Sequence, residues 1–161
     1  MFSRIETLSE KKLLGKSKRM SFLNNTTREL WQWFQPRRPE IKNVVGTDLY
    51  SLEVYDDASF FKTFNPANEF NKWAAVEVSD FDHIPAELDK LIIPTGLYAV
   101  FIHKGPASEG KKTYEYIFYN WFTSSKYELD HRPHFAIMGP KYKAESPDSE
   151  EEIWIPVKKK A

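Results

Sequence analysis

The feature that most constrains this chain is an order that occurs twice. A strand pattern, an aromatic helix pattern and two further strand patterns follow one another before about Asp80, and again after about Leu97. A repeated order is expected to give two similar halves packed about a pseudo-two-fold axis, with a groove between them. The expected organisation is one domain over residues 1–161. Repeat one covers about 1–80, a connector 81–96, and repeat two about 97–158.

The patterns are local. Ile5 to Phe22 mixes apolar and basic residues and reads as one or two strands, with "KKLLGKSKR" as a solvated strand edge. A helix is expected from near Asn25, where Thr26 and Glu29 have capping-box spacing and Leu30, Trp33 and Phe34 share a face. Pro36 and Pro39 stop it. In "DLYSLEVYDD" Leu49, Ser51, Glu53 and Tyr55 alternate with Tyr50, Leu52 and Val54. "KWAAVEVSD" alternates in the same way. Between them "ASFFKTFNPANEF" is a Phe-rich loop, and loops seldom carry so many apolar rings unless they cover something. "FDHIPAELDKLIIPTG" connects the halves and "LYAVFIHKG" is a mostly apolar strand. A second helix is expected over about Lys111 to Ser124, with Tyr114, Ile117, Phe118, Trp121 and Phe122 as its apolar stripe. "PHFAIMG" and "EIWIPV" complete the strands.

Bulk properties narrow the function classes. Lysine plus arginine equals aspartate plus glutamate, so no global field steers the chain to nucleic acid or to a membrane surface. There is no cysteine, which removes disulfides and thiolate metal sites. The N-terminus lacks the apolar core of a signal peptide, and no apolar run is long enough to span a bilayer. A cytoplasmic protein without direct nucleic-acid or membrane partners is the expectation. No phosphate loop, redox motif or Ser-His-Asp arrangement is evident, so no cofactor is expected. His131 and His134 have an H-x-x-H spacing, but Pro133 between them disfavours a helical metal site, and they read as surface or strand-edge residues. With four histidines and none expected in a buried charged network, stability is expected to be flat between pH 6 and 8. Aromatics reach 16% of the residues, which invites an aromatic-lined cavity.

Several stretches together resemble the GyrI-like domain, also called the AraC-type effector-binding domain: "LWQWFQPRRPEI", "KWAAVEV", "IPTGLYAVFIHKGP", "YIFYNWFTSSKYELDHRPHF" and "SEEEIWIPVK". The resemblance implies an α+β fold of duplicated strand-helix-strand-strand repeats. It also implies an antiparallel sheet with helices on one face and a hydrophobic ligand groove between the halves. Relatives of this kind bind cationic or aromatic small molecules, many as parts of transcription regulators. Some inhibit gyrase or sequester toxins, and some hydrolyse cyclopropane-bearing alkylating agents. The chain reads as a stand-alone module that holds bulky aromatic compounds, cationic or not, for sensing or sequestration. A hydrolase is the alternative, as is a gyrase- or protein-binding inhibitor using the acidic "DSEEE" stretch.

A planar cation is held by aromatic faces and by a partly buried carboxylate. Strand alternation puts Glu152 and Trp154 on one face of "EEEIWIPV", with Trp73 as the equivalent ring of the first half, and leaves Glu150 and Glu151 as solvated acids. Glu53 and Tyr55 offer a second acid and ring. Trp121 and Tyr127 are further candidate walls. Relatives often carry a glutamate directly after the aromatic of the "PHF" stretch; here Ala136 stands there, with Met138 on the same face. The missing acid leaves three alternatives open: neutral aromatic ligands, substitution by Glu53 or Glu152, or an altered position. It also argues against a catalytic role that needs that acid.

Overall fold

The alternating segments form nine strands, every adjacent pair antiparallel, in a computed structural model that describes residues 1–161. They are β1 (Phe2–Leu8), β2 (Lys11–Ser21), β3 (Leu49–Val54), β4 (Glu69–Val78), β5 (Asp89–Ile93), β6 (Gly96–Lys104), β7 (Tyr127–Leu129), β8 (His134–Met138) and β9 (Glu150–Lys159). The first helix, α1, spans Thr27–Phe34 and tightens into a 3-10 turn at Gln35–Glu40, where Pro36 and Pro39 remove backbone donors. The second, α2, starts at Gly110–Glu115 and continues without a break through a π-helical stretch, Tyr116–Trp121, into a last turn at Phe122–Ser124. No helix is long and apolar enough to cross a membrane.

The sheet order is β1-β6-β9-β8-β3-β4-β2-β5, and β7 adds to the far end of β9. At its centre β3 pairs with β8; outward from that pair run β4, β2 and β5 in one direction and β9, β6 and β1 in the other. The fold is therefore α+β, with an antiparallel sheet and two helices.

Register decides which residues share a face. Ile153, Ala136, Ser51 and Ala74 lie opposite one another across β9, β8, β3 and β4, so their side chains leave the same face. Ala74 packs with Leu30 and Phe34 of α1, and Ala136 packs with Ile117 of the second helix. Both helices therefore cover one face. The other face carries the row Trp73, Leu52, Phe135, Trp154 and Val100, which packs with Tyr50 and Tyr98 into a separate buried cluster.

Four local expectations are corrected. The capping box does not form: Thr26 Oγ1 is buried without a partner, and Asn25 Oδ1 instead accepts from the Thr27 amide (3.0 Å) and hydroxyl (2.6 Å). The connector contains β5, which pairs with β2, so the start of "KKLLGKSKR" lies inside the sheet rather than at a solvated edge. His134 is 4% exposed, and His103 is equally buried. Glu151 is half-buried on the helix-covered face rather than solvated.

Candidate functional site: an aromatic slot over a buried ion pair

The two helices flank the central β3–β8 pair, and the strip of sheet between them is the floor of the candidate site. Alternation sends Ser51, Glu53 and Tyr55 to this floor from the first half, and His134, Ala136 and Met138 from the second. Cross-strand pairing then sets a row: His134 opposite Glu53, and Glu53 opposite Lys72 of β4. Lys72 Nζ donates to Glu53 Oε2 at 2.6 Å, with both side chains largely out of water.

The Phe-rich loop covers this row. Arg19 grips Asp56 at the root of the loop with two parallel hydrogen bonds, 2.9 and 2.7 Å. Asp57 then accepts from the Ser59 amide and hydroxyl. The turn so formed presents Phe60 and Phe61 to the groove. Phe61 stacks on Phe118 of the second helix, with centroids 4.6 Å apart and planes at 16°. It faces His134 at 5.8 Å with planes 29° apart and meets Tyr55 edge-on at 4.9 Å. Phe60 packs on Tyr55 at 4.5 Å. One aromatic ring of the chain thus fills a slot between Phe118 and His134.

Ionisation in the floor follows from burial. The His134 imidazole is pushed down to about 3, first by desolvation and then by the nearby charge of His131, so it is neutral. The Tyr55 phenol is held well above its usual range by burial, with the charge of Glu53 adding to it. Tyr114 of α2 is raised for the same reason, with Glu53 and then Glu151 contributing. Its hydroxyl therefore stays protonated near both acids. The Glu151 carboxyl is raised by desolvation, although His103 and Lys72 pull the other way. Glu151 pairs across the sheet with His103, whose ring bonds Thr113 Oγ1 at 2.7 Å and the Pro106 carbonyl at 2.9 Å.

The residues picked from the sequence divide between the faces. Glu53, Tyr55, Ala136 and Met138 are brought together on the groove floor. Trp73, Trp154 and Glu152 lie on the opposite face. There Glu152 Oε1 accepts from the Trp154 indole at 3.1 Å, and Arg4 already supplies the cation, 5.6 Å over that ring. Trp121 stacks on Phe2 (5.3 Å) and Tyr127 (6.1 Å) and packs edge-on against Phe101, toward β1 and β6 rather than over the central pair. Lys72, Phe61, Phe118, Tyr114, Glu151 and His134 line the candidate site and are not among the ligand-binding residues expected from the sequence. The rings in "ASFFKTF" and in the helical stripe were the available signal for three of them, Phe61, Tyr114 and Phe118.

The model of the GyrI-like small molecule binding domain matches residues 1–158. The chain belongs to that family. No curated protein matches it. Among solved structures, the GyrI-like fold seen here is shared with the EcmrR C-terminal domain at 18% identity and a TM-score of 0.73, covering 99% of each chain. SAV2435, solved bound to tetraphenylphosphonium, shares it at 16% identity and a TM-score of 0.68, over 98% of this chain and 94% of that one. A hydrolase encoded by lin2189 from Listeria innocua shares it at 12% identity and a TM-score of 0.58, over 96% and 91%. Identities this low speak to the fold. The family membership makes this a small-molecule binding domain.

Proposed function

We propose that the domain binds bulky aromatic compounds in the groove between its helices, for sensing or sequestration, and that the ligand takes the slot now filled by Phe61. The observation that carries this reading is the Phe61–Phe118 stack over a floor of Glu53, Lys72, His134 and Tyr55. A loop ring sandwiched on a helix ring is an interaction an incoming aromatic can replace in kind, at little net loss of stacking. The tetraphenylphosphonium bound by SAV2435 supports aromatic ligands as the class to test. Calorimetric titration with a rhodamine dye and with triphenylphosphine oxide is the test. Heats that saturate in the micromolar range are expected; no heat from either compound counts against the reading.

A second reading, hydrolysis of a strained electrophile such as a cyclopropane-bearing alkylating agent in the same groove, is favoured by Glu151 alone. Burial holds its carboxyl above the ordinary range, which suits a general acid, and a fold neighbour is a hydrolase. Ala136 in place of the family's usual acid weighs against it. Turnover of such an agent that is lost in Glu151→Gln would favour this reading over simple binding.

A further inference from the structure

The acid beneath the slot already has its counter-ion. Glu53 is 8% exposed, and Lys72 Nζ sits 2.6 Å from its carboxylate. The two are direct neighbours across β3 and β4, so the sheet register itself holds the pair together. His134, their neighbour on β8, is neutral, and Ala136, one row further along the floor, brings no charge. The Glu53 and Lys72 charges directly beneath the slot therefore cancel one another. Glu151 also faces the groove, from β9, and its charge reaches Lys72 and Glu53; burial raises its carboxyl, toward the neutral form, and it pairs across the sheet with His103.

A monocation entering the slot would meet a carboxylate already neutralised by Lys72, and would be repelled by the buried ammonium beside it. A neutral aromatic avoids this. Lys72 Nζ makes one hydrogen bond here, to Glu53, and an ammonium has three donors. An acceptor on the ligand can take another of them while the ion pair stays intact.

Resting on the reading of this groove as the ligand site, we infer that Lys72 is its specificity-determining residue: it neutralises Glu53, so the groove selects uncharged aromatic ligands that carry a hydrogen-bond acceptor and discriminates against aromatic monocations.

Triphenylphosphine oxide and methyltriphenylphosphonium carry the same three phenyl rings and differ in charge and in the P=O acceptor, which makes them suitable calorimetric probes. The wild type is expected to bind the oxide at least about tenfold more tightly, equivalent to about 1.4 kcal/mol. Lys72→Met should reverse that order, because Glu53 is then an unpaired acid. The double variant Glu53→Gln/Lys72→Met carries no charge in the pair and stands in if the single variant fails to fold; it should bind the two probes within about threefold of one another. Tighter phosphonium binding by the wild type, or a ratio unchanged in both variants while both probes bind, overturns this inference and leaves the groove reading intact. No binding of either probe to any form overturns both.

Discussion

Phe61 and Phe118 stack at 4.6 Å with their planes 16° apart, joining the loop of the first half to the second helix across the groove. The contact closes the groove with the chain's own side chain. Any ligand that uses the slot competes with it, so the apparent affinity includes the free energy of moving Phe61 out.

Phe61→Ala removes that competition. An aromatic stack is worth about 0.5–1.5 kcal/mol, so the variant is expected to bind aromatic probes about two- to tenfold more tightly. Calorimetry on the two proteins checks this. Weaker binding by the variant would mean that Phe61 clamps the ligand rather than standing in its place.

The buried imidazole of His134 makes stability depend on acid. Its folded value, about 3, is depressed below the ordinary imidazole value of 6.5. Above pH 6.5 it is neutral in both states and contributes no slope. As pH falls below 6.5 the unfolded chain takes up a proton that the folded chain refuses, so stability drops by up to about 1.4 kcal/mol per pH unit until about pH 3. The expected flat profile rests on no histidine standing in a buried charged network; His134 is buried beside the Glu53–Lys72 pair. Urea midpoints at pH 7, 6, 5 and 4 should fall more steeply for the wild type than for His134→Phe. Parallel curves would show that His134 is not held neutral.

Gly15 lies in β2 opposite Ala75 of β4, where a Cβ would stand 2.1 Å from the Ala74 carbonyl oxygen and 2.7 Å from the Ala75 Cβ. Gly15→Ala must push the two strands apart and is expected to cost about 1–3 kcal/mol, if not more. Gly110, at the start of α2, has open space around its Cβ position, and Gly110→Ala should stabilise by about 0.4–1 kcal/mol. Denaturant midpoints moving in opposite directions would bear out both.

Alternation in "DLYSLEVY" and "PHFAIMG" was enough to group Ser51, Glu53 and Tyr55, and His134, Ala136 and Met138, because a strand's period is a local property. It could not say which face of which strand meets the helices. That depends on register, and so Glu152, Trp154 and Trp73 were grouped with residues from which the sheet separates them. The Glu53–Lys72 pair was hidden for the same reason: no local pattern announces a partner on the next strand. The short strand β5 lies between Pro85 and Pro94, and its proline-bounded segment read as a connector. The cover role of the Phe-rich loop was legible, since exposed rings at that density are unfavourable in water; the identity of the ring it inserts was not.

The most direct test of the groove compares one wall of the slot with the opposite face of the sheet. Triphenylphosphine oxide would be titrated calorimetrically into the wild type, Phe118→Ala and Trp154→Phe, with folding of each checked by thermal unfolding. If the ligand binds in the slot, Phe118→Ala should weaken binding by about tenfold, or 1.4 kcal/mol, and Trp154→Phe should leave it unchanged. Loss of binding in Trp154→Phe with retention in Phe118→Ala would place the ligand on the opposite face and contradict the account.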